Sequence, residues 1–136
     1  MGEPDSNSRA RLTIAIACVI VVGLAAKFDV APLPSWLSNL LGGACYTAAF
    51  GLALLWLRPA LGAARAAALA LLWSCAVELW QLGQLAPFTA AREHALMRLV
   101  FGAHFDPWDF LAYALGALLV VALGATARSN RGANAR

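Results

Sequence analysis

The chain has 136 residues, of which 62% are hydrophobic and 12% are charged. Soluble domains are about half apolar and about one quarter charged, so this composition excludes a water-soluble domain and leaves no room for a second globular unit. The net charge of +3 results from ten basic and seven acidic residues. The basic residues are scattered near helix ends and form no continuous basic stripe, which excludes nucleic-acid binding as the reason for the positive charge.

The first predicted element is a transmembrane helix at about residues 12–28. Residues 1–10 are mostly polar and are predicted to form a disordered cytoplasmic tail. The uncharged stretch 12–26 is about 22 Å long as a helix, which is short for a hydrocarbon core of about 30 Å unless Arg11 and Lys27 extend their side chains to the interface. This length also fits a signal peptide, but three further apolar segments favour an uncleaved helix.

The second and third helices are predicted at about residues 36–57 and 65–86. Two prolines in the preceding loop prevent the first helix from continuing into the second. Arg58-Pro59 ends the second helix, and Pro87 ends the third. Because the connection between these two helices is short, they are predicted to be antiparallel neighbours.

The fourth helix is predicted at about residues 107–127, with Asp106 as its N-cap and Pro107 at its first position. Before it lies the longest internal polar stretch, whose partly apolar pattern favours a short interfacial or re-entrant segment between helices three and four. Residues 128–136 are predicted to form a basic cytoplasmic tail. The expected fold class is therefore all-α, an integral membrane bundle of four transmembrane helices within residues 11–127.

Basic residues indicate the orientation, because cytoplasmic loops of membrane proteins carry an excess of Lys and Arg. With the N-terminus inside, seven basic residues lie inside and three outside. The inner set is Arg9, Arg11, Arg58, Arg65, Arg128, Arg131 and Arg136, and the outer set is Lys27, Arg92 and Arg98. The predicted location is the bacterial cytoplasmic (inner) membrane, with several passes and both termini cytoplasmic.

Glu78 is the most informative residue, because it is a carboxylate inside a predicted membrane helix. A carboxylate there is costly and should point into the bundle, either protonated or paired. Ser74, Glu78 and Gln81 are spaced four and three residues apart, so they share one helix face. Glu78 is therefore a candidate catalytic and binding residue, and Gln81 is a candidate binding residue.

The fourth helix carries a second polar stripe, formed by Asp109 and Tyr113 with Gly116 below them. Tyr113 is expected to donate a hydrogen bond to a carboxylate, since a phenol at membrane depth needs a partner. Gly116 permits close helix contact. Two polar stripes near the outer end predict one shared site, with Asp109 a catalytic and binding candidate and Tyr113 and Arg92 binding candidates.

Several of these residues together closely resemble the bacterial membrane family known as domain of unknown function 2809. The resemblance runs from Arg11 to about Leu119, and more distantly the order of polar residues is similar to the VanZ-like family associated with teicoplanin resistance. The sequence departs from the resemblance to domain of unknown function 2809 at Gly42-Gly43, where members tend to carry Gly-Asp. The resemblance implies a membrane architecture but no established activity. The residues that carry it are Glu78-Leu-Trp-Gln81, Arg92, Leu99-Val-Phe-Gly102, Phe105, Trp108-Asp109 and Ala112-Tyr113-x-x-Gly116.

Neither a metal site nor a cofactor is predicted. His94 and His104, with the acidic residues near them, match no zinc-ligand spacing. No nucleophile motif or cofactor fingerprint is present in the sequence. The three cysteines lie in apolar stretches and are interpreted as small packing residues. They are Cys18, Cys45 and Cys75.

Three function classes stay open. The favoured one is a non-enzymatic membrane protein whose extracytoplasmic polar pocket binds a lipid headgroup, an envelope component or a partner; in it, Glu78 and Arg92 form a structural ion pair. The second is an enzyme acting on an envelope lipid or isoprenoid carrier, with Glu78 as acid or base. The third is a small proton-coupled transporter. Membrane lipids are the expected partners, and a homo-oligomer or a partner membrane protein stays open.

The basic-residue bias makes the topology testable. Reporter fusions at Ala133 and at Thr89 are expected to give opposite compartment signals, with Ala133 cytoplasmic, because the two positions lie on opposite sides of the fourth predicted helix. Paired alkaline phosphatase and fluorescent-protein fusions measure this. The same compartment signal from both positions would contradict the topology.

Overall fold

The computed structural model describes residues 6–28, 30, 32–82 and 107–133. Within these residues there are four long helices, each long and apolar enough to cross a membrane. They are α1 (Ser6–Lys27), α2 (Ser35–Leu57), α3 (Ala63–Leu82) and α4 (Asp109–Ala133), with a 3-10 turn at Pro59–Leu61. The predicted all-α membrane bundle is confirmed, whereas the predicted interfacial segment falls in residues 83–106, outside the described part.

Helix α1 begins at Ser6, inside the segment for which the sequence predicts a tail. Packing explains the earlier start. The guanidinium of Arg9 lies over the indole ring of Trp56 in α2, 5.7 Å from the ring centroid, and the side chains of Ser8 and Leu12 are buried. A cation over an indole face is an attractive contact, so the first turn of α1 has a partner that local sequence does not reveal.

Helix α4 begins at Asp109, two residues after the predicted boundary at Pro107. The carbonyl oxygen of Trp108 accepts hydrogen bonds from the backbone N–H groups of Leu111 and Ala112, so Trp108 precedes the first helical residue. Asp106, the predicted N-cap, lies outside the described residues. Asp109 is therefore in the first turn, where the helix dipole stabilises a carboxylate.

Helix α2 is at the centre of the bundle and packs against each of the other three helices. Its start is defined by Pro34, whose carbonyl oxygen accepts hydrogen bonds from Leu37 and Ser38. Its end is defined by Pro59, which has no N–H to donate and cannot extend the helix. Helix α1 packs mainly against α2, while α2, α3 and α4 all contact one another.

Helices α1 and α3 both run antiparallel to α2. The hydroxyl of Ser38 near the start of α2 donates to the backbone carbonyl of Ala26 near the end of α1. On the other side, Thr47 of α2 is hydrogen-bonded to Ser74 of α3, and one turn further along α2, Gly51 lies against Ala70, one turn earlier in α3. The predicted antiparallel pairing of helices two and three is therefore confirmed.

Helices α2 and α4 run parallel, in contact at every fourth residue. A Cβ added to Gly43 would lie 2.8 Å from the Cβ of Ala112, and one added to Gly51 would lie 2.6 Å from a methyl carbon of Val120. Between these two points, a Cβ on Gly116 would collide with the backbone carbonyl oxygen of Ala44. Small residues four apart let membrane helices approach closely, so the α2–α4 contact is tight along its length.

This up-and-down arrangement gives the bundle two ends. The Arg58 end contains the start of α1, the end of α2, the start of α3 and the C-terminal half of α4, and the Asp109 end contains the opposite helix ends. Exposed tryptophans lie at both ends, as tryptophans do at membrane–water interfaces. They are Trp36, Trp80 and Trp108 at the Asp109 end and Trp56 at the Arg58 end.

The α2–α4 contact predicts unequal effects of two glycine substitutions. Gly116→Ala is expected to destabilise the protein by about 1–3 kcal/mol, because the added methyl group must push α4 away from Ala44 and Thr47. Gly42→Ala is the matched control, since a Cβ there meets nothing within 4 Å, and alanine is the better helix former. Thermal unfolding in detergent measures both. Equal melting temperatures for the two variants would contradict the close packing.

Candidate functional site

The side chain of Glu78 is 1% exposed, although it lies in a helix that is apolar enough to span a membrane. Ser74 is one turn earlier on the same face of α3 and is fully buried, whereas Trp80 is on another face and is exposed. The expectation that Glu78 points into the bundle is therefore confirmed. Its position, one turn before the end of α3 at Leu82, places the carboxylate near the Asp109 end.

Tyr113 of α4 holds this carboxylate directly. Its phenol hydroxyl donates a hydrogen bond of 2.8 Å to Oε2 of Glu78, which confirms the expected phenol–carboxylate pair. The Tyr113 ring is positioned by an edge-to-face contact with Phe110, with ring centroids 6.4 Å apart. On the α2 side, a Cβ at Gly43 would lie 3.4 Å from a ring carbon of Tyr113. Gly43 is the position at which the sequence departs from its resemblance, so an acidic side chain there would lie beside Tyr113.

A second buried polar pair lies one turn deeper. The hydroxyl oxygens of Thr47 in α2 and Ser74 in α3 are 2.8 Å apart, and either group can donate. Both side chains are fully buried. A buried hydroxyl without a partner would be costly, and each of these satisfies the other. Sequence reasoning identified Ser74 but missed Thr47, whose signal is a hydroxyl within an apolar helix among small residues.

Thr47, Ser74, Glu78 and Tyr113 form a polar core that joins three helices. The core occupies the half of the bundle nearer to the Asp109 end. Among the described residues, the buried side chains of the other half are apolar except for Ser8, near the start of α1 at the Arg58 end, away from the polar core. These apolar residues are Leu52, Leu55, Ala63, Ala66, Ala67, Ala70 and Val120.

An aromatic group adjoins the polar core on the outside of the α2–α3 pair. The indole N–H of Trp73 donates to the phenol oxygen of Tyr46 at 3.1 Å. The same indole stacks on Phe50, with ring centroids 5.7 Å apart and an interplanar angle of 17°. This contact satisfies a polar N–H at membrane depth. Neither Tyr46 nor Phe50 was identified from the sequence, because nothing local indicates that their helix faces Trp73.

Of the other predicted site residues, only Asp109 has a described side chain. It is half-buried, four residues before Tyr113 and therefore one turn closer to the Asp109 end on the same face of α4. The backbone of Gln81 belongs to the last turn of α3, but its side chain is outside the described part. Arg92 also lies outside, so its predicted pairing with Glu78 stays a prediction.

The chemistry of the described site is that of hydrogen-bond acceptors. Glu78 and Asp109 contribute carboxylates, and Tyr113 uses its proton on Glu78. Among the described residues, no group of three or more His, Cys, Asp or Glu side chains is arranged to hold a metal ion. The described site therefore contains two carboxylates at different depths, with Glu78 buried in the polar core and Asp109 nearer to the end of the bundle.

One family model matches the chain, and its description is "Protein of unknown function (DUF2809)". The match covers residues 32–117, which is more than half of the chain. This stretch includes all four polar-core residues and Asp109, and it begins after the end of α1. No curated protein and no solved structure matches the chain.

The Glu78–Tyr113 contact predicts a specific loss of stability. Tyr113→Phe is expected to cost about 1–3 kcal/mol, because it removes a donor from a buried carboxylate. Tyr46→Phe is the matched control: it deletes the same hydroxyl, but from a partly exposed hydrogen bond, so a smaller loss is expected. Unfolding in detergent measures both changes.

A double-mutant cycle separates this contact from general packing. In a Glu78→Met background, Tyr113→Phe is expected to cost less than in the wild type, because the acceptor is already gone. If Tyr113→Phe lowers the free energy of unfolding by the same amount in both backgrounds, the Tyr113–Glu78 hydrogen bond contributes nothing to stability. That result would contradict the hydrogen bond as a stabilising contact.

Proposed function

The chain belongs to the DUF2809 family of proteins of unknown function, and from that premise we propose that it is a membrane protein that binds a lipid headgroup at its Asp109 end. The observation that carries the proposal is the buried carboxylate of Glu78, held by Tyr113 inside a bundle of four apolar helices. Ionisable residues inside membrane segments are costly, and they are candidates for functional sites by default.

The depth of the site suits a headgroup. Asp109 is the first residue of α4, and the apolar span of that helix begins with it. The ends of a membrane span lie where the hydrocarbon gives way to lipid headgroups. A ligand arriving at this level meets the half-buried carboxylate of Asp109 before it reaches the polar core one turn below. In this proposal Asp109 therefore contacts the ligand, and the hydrogen-bonded pair of Glu78 and Tyr113 forms the inner boundary of the site.

The chemistry of the site favours a headgroup with hydrogen-bond donors. Carboxylate oxygens accept strong, charge-assisted bonds from ammonium groups. Phosphatidylethanolamine carries such N–H donors, and sugar headgroups carry O–H donors. Phosphatidylcholine has a quaternary nitrogen without N–H, so it is a control lipid of similar structure that lacks the N–H donors the site would recognise.

Two observations support binding over the alternatives of catalysis and proton transport. A general acid or base must reach the reacting atoms, and Glu78 is 1% exposed. A proton carrier needs a polar route through the membrane, and among the described residues the polar core stops at the Thr47–Ser74 pair, with apolar side chains beyond it.

The proposal includes an orientation. Arginine side chains are exposed at the Arg58 end, and the excess of basic residues in that set of loops supports placing it in the cytoplasm. The Asp109 end would then face the outside of a bacterial inner membrane, with both chain termini inside. The more distant similarity to the VanZ-like family stays a prediction.

Asp109→Asn tests this function. The substitution keeps the size and hydrogen-bonding capacity of the side chain and removes its charge, so the melting temperature is expected to fall only slightly. Part of the change is the loss of a helix-dipole interaction of about 0.3–1 kcal/mol. Native mass spectrometry of the purified protein with an equimolar mixture of dioleoyl phosphatidylethanolamine and dioleoyl phosphatidylcholine measures lipid retention. The wild type is expected to retain the ethanolamine lipid in several-fold excess, and Asp109→Asn is expected to lose this preference.

Gly42→Ala serves as the control for handling and detergent, because its added methyl group meets open space. It is expected to retain the wild-type lipid preference. If Asp109→Asn keeps the preference, or if it unfolds the protein, then Asp109 belongs to the scaffold and the headgroup site is rejected.

A further inference from the structure

The Arg58 end carries exposed basic side chains on three adjacent chain segments. Arg9 is in the second turn of α1, Arg58 directly follows α2, and Arg65 is in the first turn of α3; all three are exposed. Packed helices have axes about 8–10 Å apart. The helices that carry Arg9 and Arg65 both pack against α2, and we name these three exposed arginines at one end of the bundle the arginine patch.

The backbone at this end places Arg58 close to the start of α3. The N–H of Arg58 donates to the carbonyl oxygen of Leu54, so Arg58 is anchored to the last turn of α2. Gly62 has φ of 81°, a conformation that favours glycine, and it turns the chain so that α3 starts beside α2. The carbonyl oxygen of Gly62 then accepts from the N–H of Ala66, which begins the hydrogen bonding of α3.

Arg9 is held against the last turn of α2 by a side-chain contact. Its guanidinium lies 5.7 Å from the centre of the Trp56 ring, two residues before Arg58. Trp56 and Leu57 are both exposed at this level. The patch therefore combines cations with apolar side chains at the depth where a phospholipid phosphate meets its acyl chains.

No carboxylate of the described residues neutralises this end. The described acidic residues are Glu78 and Asp109, and both belong to the other half of the bundle. Among the described residues, both carboxylates lie towards the Asp109 end, together with the exposed cation Lys27, and the exposed arginines lie at the Arg58 end. A ligand with negative charge would complement the arginine patch.

We infer that the arginine patch binds the phosphate of an anionic phospholipid. Guanidinium groups donate paired hydrogen bonds that match phosphate oxygens, and basic clusters beside membrane spans bind acidic lipids. The exposed Trp56 and Leu57 contact the start of the acyl chains. This site does not depend on the headgroup site at the Asp109 end, since it uses other residues and the opposite charge.

The experiment measures thermal unfolding in dodecyl maltoside with dioleoyl phosphatidylglycerol or dioleoyl phosphatidylcholine added. The wild type is expected to gain several degrees with the glycerol lipid and little with the choline lipid, and added salt should shrink the gain. The double variant Arg58→Gln with Arg65→Gln is expected to lose most of the gain. Lys27→Gln, an exposed cation at the Asp109 end, is the matched control and should keep it.

Two further variants make the outcome decisive. Arg58→Lys with Arg65→Lys keeps the charge without the paired donors and should keep part of the gain; it also serves if the glutamine variant does not purify. Asp109→Asn should keep the full gain, which separates this site from the headgroup site. The inference is overturned if both lipids stabilise equally, if the glutamine variant keeps the gain, or if Lys27→Gln loses it equally.

Discussion

Helices α2 and α4 lie close enough for a glycine of one to contact the backbone of the other, and the rest of the described bundle is arranged around that contact. Apolar side chains gain nothing by leaving lipid for each other, so helix association in a membrane depends on packing and hydrogen bonds. Gly116 against Ala44 supplies the closest approach, and Gly43 and Gly51 extend it in both directions. The parallel register follows from these points.

The polar core depends on the same register. Because Gly43 leaves room next to Ala112, the ring of Tyr113 passes beside α2 and reaches Glu78 on α3. One turn deeper, Thr47 of α2 meets Ser74 in a pair that also lies close to Gly116. Each buried polar side chain of the core thus has a partner on another helix, which offsets the cost of removing it from water. These hydrogen bonds join α2, α3 and α4.

Among the described residues, the two ends of the bundle differ in their charged side chains. Carboxylates lie in or next to the polar core, and exposed arginines lie at the opposite helix ends. Lipid headgroups are present on both sides of a bilayer. In the two proposals, the Asp109 end contacts headgroup N–H or O–H donors and the Arg58 end contacts lipid phosphates, so the bundle would bind different lipids on each side. Helix α1 contributes Arg9 to the Arg58 end, where its guanidinium contacts Trp56, whereas the hydrogen bonds of the polar core join the other three helices.

Composition and proline positions were enough to predict four membrane helices and the antiparallel order of α2 and α3, because hydropathy and helix breaking act locally along the chain. Spacing also placed Glu78 inside the bundle and assigned Tyr113 as a donor to a carboxylate, since a buried charge and a buried phenol both require partners. The start of α1 at Ser6, the pairing of Thr47 with Ser74 and the register of α2 against α4 could not be predicted. Each of these depends on which residues of distant segments touch, and that depends on how closely the helix backbones approach in three dimensions, which no local pattern specifies.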